Sequence, residues 1–271
     1  MANTFRVGEI EVLVLSDGEI TIPGNAYFQT TDTAWEPHKR WLTHGGDLVF
    51  PLGCFLIRSG GRTMLIDTGL GAIKTGPYRG GDLFGELAAA GVALDEINTV
   101  FVTHLHLDHC GTIAREVDGA FAPSFPRAAY RWTSAEQAYW SGPLPPGTIK
   151  RQELFDAVAA RYQPVEGGGS LAPGVDVIAL PGHTPGQAGV VVSSGEQRAF
   201  ILGDAISCPV QLEETEWSGL GDIDPRLARQ TQEAVAREAE ASGALLGASH
   251  FPGLTFGRVL SGAGRRYWQA I

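Results

Sequence analysis

Asn98-Thr99-Val100-Phe101-Val102, followed by Thr103-His104-Leu105-His106-Leu107-Asp108-His109-Cys110-Gly111, is a short apolar strand running into three imidazoles and one carboxylate. His104 and His106 are two residues apart and can point the same way from an extended backbone. Asp108 and His109 follow at a turn and can face a second point. Gly111, Thr112 and Ile113 can open a helix. Packing alone does not account for such a cluster, because each buried imidazole or carboxylate needs a partner. Imidazole nitrogen and carboxylate oxygen together suit a borderline cation such as Zn²⁺. The expectation is a metal loop at the carboxyl end of a strand, where α/β folds commonly place their sites.

Working outward, three more candidate ligands each follow an apolar run. His183 lies in Pro181-Gly182-His183-Thr184-Pro185-Gly186, after residues 175–180. Asp204 follows Gly203 and the strand 198–202, and His250 follows Ser249 and the strand 244–248. Five of the seven histidines are then accounted for. The other two, His38 and His44, have no metal-type spacing and are expected at the surface or rim.

The remaining chain alternates strands and helices. The hydrophobic phase slips near Gly8 within residues 5–15, which predicts a hairpin or bulge. Ser16-Asp17-Gly18 has turn chemistry, and residues 20–50 read as irregular. Gly60-Gly61 joins strands 54–58 and 63–67 as a hairpin. Helices are expected over 82–90, over 148–161, and from Thr133, whose spacing to Glu136 is that of a capping box. A further helix begins at Asp224-Pro225, presents Leu227, Thr231, Val235 and Ala239 on one face, and ends at Gly243. Gly167-Gly168-Gly169 lacks the strand–helix context of a phosphate loop. No linker or repeat divides the chain, so residues 1–271 are expected to form one α/β domain.

The chain has 271 residues, 44% hydrophobic and 18% charged, with a net charge of −10. That acidity argues against a nucleic-acid partner, which would call for a basic face. No signal pattern opens the chain, and no apolar run reaches the ~18 residues needed to cross a membrane. Cys54, Cys110 and Cys208 are odd in number and scattered, which favours a reducing compartment over a disulfide framework. The expected location is the cytoplasm. The expected partner is a small-molecule substrate, with no nucleic acid and no membrane, and a homodimer is open as the assembly.

The HxHxDH motif after an apolar strand resembles that of the metallo-β-lactamase-fold hydrolases. PGHTPG at 181–186, Gly203-Asp204-Ala205 and Gly247-Ala248-Ser249-His250-Phe251-Pro252-Gly253 extend the resemblance along most of the chain. It implies a four-layer αββα sandwich with the metals at one edge between the sheets. It implies that His104, His106 and His183 bind one metal, that Asp108, His109 and His250 bind the other, and that Asp204 bridges them. Asp67, in Ile66-Asp67-Thr68-Gly69, would orient a ligand histidine from beneath. Two divalent ions are expected, zinc first, with iron, manganese or cobalt as alternatives. Asp108 and Asp204 would be the catalytic carboxylates, acting with a metal-bridging hydroxide. Cys110 and Cys208 are expected to pack rather than react.

Within the superfamily the pattern is most similar to the lactonase and organophosphate-hydrolase branch. The implied activity is opening of a lactone or cleavage of a related neutral ester. Phosphotriester hydrolysis of the methyl-parathion type and glyoxalase-type thioester hydrolysis are the alternatives, and a diiron-binding module is the non-hydrolytic one. Glyoxalase-type enzymes usually add a C-terminal region, whereas only residues 251–271 follow His250. Some acyl-homoserine lactonases place a Tyr where Ser207 stands. The substrate pocket is expected to draw on the aromatic residues Phe28, Trp35, Trp41 and Trp140, with Tyr27 and Tyr139 beside them, and on Ser207.

Overall fold

The computed structural model describes residues 3–271. Two seven-stranded sheets lie face to face. The first contains β1 (Asn3–Val7), β2 (Ile10–Pro23), β3 (Asp47–Ser59), β4 (Arg62–Ile66), β5 (Tyr78–Gly80), β6 (Thr99–Phe101) and β9 (Ala129–Arg131). A separate hairpin, β7 (Ala114–Val117) and β8 (Ala120–Pro123), lies between β6 and β9 in sequence. The second sheet runs from β10 (Ser170–Ala172) and β11 (Val175–Ala179) through β12 (Ala188–Ser194) and β13 (Gln197–Ile201). It continues with β14 (Leu245–Gly247), β15 (Gly257–Gly262) and β16 (Arg265–Ala270).

The apolar runs explain the layering. In β2, Val12 and Val14 face the other sheet while Leu13 and Leu15 face away. In β3, Phe55 and Ile57 alternate with Cys54 and Leu56 in the same sense, as Met64 and Ile66 do with Leu65 in β4. Strands buried on both faces are apolar throughout. The outer face of the first sheet is covered by α2 (Leu83–Ala89), α4 (Ser134–Ser141) and α5 (Gln152–Val158), through Leu83, Leu87, Trp140, Leu154 and Val158. The outer face of the second is covered by α6 (Pro225–Ser242) through Val235, Ala236 and Ala239. The result is the four-layer αββα sandwich of the metallo-β-lactamase fold.

Two parallel crossovers place the site. β4 and β6 are parallel neighbours, as are β13 and β14. Their carboxyl ends carry Asp67, the His104–His109 loop, Asp204 and His250 toward one edge of the sandwich.

Several local expectations need correction. β2 does not turn at Ser16-Asp17-Gly18; it continues to Pro23 with a register shift between Ser16 and Glu19. Asp17 is buried and accepts from the backbone N–H groups of Leu70, Gly71 and Leu83 at 2.8–2.9 Å, so it braces another loop rather than a turn of its own. Residues 20–50 are largely regular: the end of β2, the short α1 (Gly24–Tyr27), a 3₁₀ stretch Asp32–Trp41 and the start of β3. The helical turn at the histidine motif, α3 (Leu107–Cys110), precedes Gly111 instead of beginning there. Helix α5 starts only at Gln152. On α6 the buried row is Ala228, Gln232, Val235, Ala236 and Ala239, rotated from the stripe that began at Leu227.

Candidate metal centre

Asp67 organises the loop after β6. Its Oδ1 accepts from the Thr103 N–H at 2.8 Å. Its Oδ2 accepts from Thr103 Oγ1 at 2.9 Å and Ser249 Oγ at 3.2 Å, and lies 2.8 Å from His109 Nδ1. Asp67 is fully buried and holds φ at 58°, a conformation that costs a non-glycine residue of order 1–3 kcal/mol and persists only when its surroundings over-determine it. Four donors converging on one carboxylate do so here. They fix the tautomer of His109, leaving Nε2 aimed into the site.

The ligand atoms fall into two groups. His104 Nε2 and His183 Nε2 lie 3.0 and 2.9 Å from His106 Nδ1, so three ring nitrogens aim at one point. On the other side, His250 Nε2 and His109 Nε2 lie 3.4 and 3.7 Å from Asp108 Oδ2. Asp204 stands between them. Its Oδ1 is 3.2 Å from His109 Nε2 and 3.3 Å from His250 Nε2, while its Oδ2 is 3.4 Å from His183 Nε2 and 4.0 Å from His104 Nε2. Each oxygen therefore serves one group.

A cation fits this donor set. Asp204 Oδ1 and His109 Nε2 are buried and make no hydrogen bond despite facing each other. Buried polar atoms are otherwise nearly always paired, and an unfilled pair at the centre of a ligand cluster marks an ion position. Electrostatics agree. Burial, with neighbouring imidazoles, lowers His104 well below the ordinary histidine value, and it pushes His106 down to about 3, so both offer free lone pairs. For His250 burial acts the same way, but the Asp204 and Asp108 carboxylates outweigh it and push the ring up to about 10. A positive charge is thus favoured where those carboxylates meet.

Two further buried carboxylates, Glu136 and Asp222, support this centre. Glu136 does not close the capping box expected of it. Thr133 Oγ1 accepts from the Glu136 N–H at 3.1 Å, but the Glu136 carboxylate turns inward. It accepts from Leu105 N at 2.9 Å, Trp140 Nε1 at 2.7 Å, Thr184 Oγ1 at 2.7 Å and Gly186 N at 3.1 Å. It thereby ties the loop bearing His104 and His106 to the turn bearing His183. A Cβ on Gly186 would stand 2.0 Å from Glu136 N, so that glycine permits the approach. Asp222 lies 2.9 Å from His183 Nδ1, the counterpart of Asp67 on the other side. The sequence signal at Glu136 was its capping-box spacing from Thr133, which pointed to a helix end and not to this site; for Asp222 there was none.

The cavity above the ligands has a volume of about 270 Å³. His106, Asp108, His183, Asp204 and His250 form its polar floor, and Ile20, Ile22, Tyr27, Phe50, Tyr78 and Leu220 its walls. Of the aromatic residues expected in this pocket, only Tyr27 lines it. Phe28 and Trp35 are buried behind it against Trp217, because their flat faces fill the space between the 3₁₀ stretch and the loop after Asp204. Trp41 packs on Trp268. Trp140 is buried under His106, edge to face at 5.6 Å, held by Glu136, and Tyr139 packs beside it in the outer core. Ser207 is also buried; its Oγ accepts from the Tyr27 hydroxyl at 2.9 Å, so it meets the pocket through Tyr27. His38 is not at the surface: it is buried, with Nε2 at 2.9 Å from Glu214 Oε1. His44 is exposed.

The three thiols are free and buried. Burial raises Cys110 well above the ordinary thiol value and pushes Cys208 up to about 12, so neither supplies a thiolate nucleophile.

Known proteins match this arrangement. The sequence profile of the metallo-beta-lactamase superfamily matches residues 53–250, from β3 to the last histidine of the cluster. The N-acyl homoserine lactonase AiiA of Bacillus thuringiensis subsp. kurstaki is 26% identical over 221 residues, covering 73% of this chain and 81% of its own. Among solved structures, AidC, a dizinc quorum-quenching lactonase in complex with a product, superposes with a TM-score of 0.88 at 21% identity. That match covers 100% of this chain and 97% of AidC. The hydrolase AbOPH of the beta lactamase superfamily superposes with a TM-score of 0.87 at 24% identity, with coverage of 100% and 97%. These two likenesses establish the fold.

Proposed function

We propose that this chain, which belongs to the metallo-beta-lactamase superfamily, is a dinuclear-metal hydrolase that opens a lactone or cleaves a related neutral ester. The observation that carries this is Asp204, with one oxygen facing His109 and His250 and the other facing His183 and His104. His104, His106 and His183 would hold one divalent ion, Asp108, His109 and His250 the second, with Asp204 available to both; the ligand types favour zinc. Ions bound there supply a water deprotonated near neutral pH and an electrophile for the carbonyl oxygen.

The chain's own residues do the rest. Asp67 and Asp222 hold His109 and His183 by their far nitrogens, so the ligand nitrogens do not have to reorient during turnover. Asp108 is the more open of the two ligand carboxylates, with 19% of its side chain exposed against 6% for Asp204. Against burial, the His109 and His250 rings hold Asp108 below the usual carboxylate value, so it is ionised; we assign it a shuttle role, taking the proton released by the attacking water and passing it to the leaving oxygen. Burial, with the charge of Asp204, holds the Tyr27 phenol well above its ordinary value, so it stays neutral beside the substrate. Among the described residues neither Lys nor Arg lines the cavity, and its walls are mostly apolar. A neutral ester suits such walls; a substrate carrying extra negative charge finds no basic side chain along them. The similarity to AiiA supports a lactone as that ester.

No helix among the described residues is long and apolar enough to cross a membrane. Three free cysteines favour a reducing compartment, and we place the protein in the cytoplasm as one domain. The test is a hydrolysis panel of lactones, phosphotriesters, thioesters and β-lactams on zinc-loaded protein. Lactone turnover well above the rest is expected. Efficient cleavage of another class with lactones untouched would overturn the assignment.

A further inference from the structure

Gly219-Leu220-Gly221 lies at the mouth of the cavity in an unusual setting. Leu220 is 59% exposed although it lines the site. The glycines on either side of it have no room for a side chain. A Cβ on Gly219 would stand 2.9 Å from the Tyr27 hydroxyl oxygen. A Cβ on Gly221 would stand 2.7 Å from His183 Cε1 and 3.6 Å from His106 Cε1. The backbone therefore rests directly on the rings of the site and holds Leu220 between them.

The segment is pinned. The Asp222 N–H donates to Gly219 O at 3.0 Å, and the Gly219 N–H donates to Asp222 Oδ2 at 2.8 Å, closing a tight turn. Asp222 Oδ1 meets His183 Nδ1, and the Ile223 N–H donates to His183 O at 3.0 Å. One carboxylate thus holds both the turn and a ligand histidine. Ile20, Ile22 and Phe50 supply further apolar wall to the same cavity.

We propose that Gly219-Leu220-Gly221 is a preformed clamp against which an apolar chain of the substrate packs and which sets the preference for longer chains, with Asp222 joining the clamp to His183. An apolar side chain held in water at a binding site gains free energy only when a ligand covers it, in proportion to the area covered. A longer acyl chain can cover more of Leu220 and of the apolar wall beside it than a short one. This rests on the ester-hydrolase reading above, since the chain in question is the acyl chain of that ester.

The experiment compares zinc-loaded wild type, Leu220→Ala and Asp222→Asn on N-acyl homoserine lactones from butanoyl to decanoyl. Metal affinity is read separately by competition with a chromophoric chelator. Wild type is expected to favour the decanoyl substrate. Leu220→Ala is expected to lower the decanoyl-to-butanoyl ratio of kcat/KM by about tenfold, with wild-type metal affinity. Asp222→Asn is expected to weaken metal binding by about tenfold or more. Gly221→Ala is expected to do the same by displacing His183. If wild type cleaves the series and Leu220→Ala leaves the ratio within about twofold, the clamp is overturned and the ester reading stands. If Asp222→Asn binds metal as wild type does, the link to His183 is overturned. If wild type cleaves none of the series, the clamp is overturned, while the ester reading is decided by the wider panel above.

Discussion

The floor and the walls of the cavity are built on different principles. Every ligand on the floor sits at or just beyond the end of a strand or in the turn after one, and several are tied by a buried hydrogen bond on the side away from the site: His109 by Asp67, His183 by Asp222, His250 by the Pro51 carbonyl. The walls come from β2, α1, β3, β5 and the 219–223 turn, and the side chains they present to the cavity are mostly apolar. A site can therefore keep a fixed reaction centre while its rim is redrawn. Substitutions on the floor should cost metal and turnover; those on the walls should change which substrate is preferred.

The largest effect is expected at Asp204. Asp204→Ala removes the residue shared by both ion positions, and loss of several kcal/mol of charge stabilisation corresponds to about a thousandfold in kcat/KM. Steady-state kinetics with parallel metal analysis measures it. Next comes Asp67→Ala, which leaves the ligands in place but unties His109. A loss of metal affinity of roughly 10–100-fold is expected. If Asp67→Ala and Asp204→Ala lost metal equally, the distinction between ligand and orienting residue would collapse.

Trp35→Ala sharpens the contrast between wall and packing. Trp35 is 2% exposed, and truncating such a ring costs about 3–5 kcal/mol of stability. Denaturant unfolding should show that loss, while the chain-length profile of the surviving enzyme stays as in wild type. A changed profile with unchanged stability would return Trp35 to the pocket. The smallest effects belong to the thiols. Cys110→Ser and Cys208→Ser should each keep turnover within about threefold, because burial holds both thiols protonated. A complete loss with fold and metal intact would point to a sulfur nucleophile.

The same contrast decides what was legible in the sequence. That His104, His106, Asp108, His109, His183, Asp204 and His250 come together in one cluster was legible because each is a polar residue just past an apolar run, and the fold gathers strand ends at one edge. The layers were legible for a related reason: the runs at 12–15, 54–57 and 64–66 are apolar at every position, as strands buried on both faces must be. The walls were not legible. Aromatic content near residues 26–50 pointed to the pocket, yet large flat rings fill core space as readily as they line a cavity, and Phe28, Trp35 and Trp41 do the former. Glu136 followed a strong local pattern, the capping box, that tertiary donors overrode. Ile20 and Ile22 were obscured because Gly18 looked like the end of a strand that in fact bulges and continues.

Metal stoichiometry tests the central claim most directly. Wild type and Asp204→Ala, each purified, loaded with zinc and freed of excess, are assayed for bound metal by elemental analysis and for lactone turnover. Two ions per active wild-type chain are expected, with fewer in Asp204→Ala and turnover lower by about a thousandfold. Full wild-type activity with at most one ion per chain would contradict the dinuclear account.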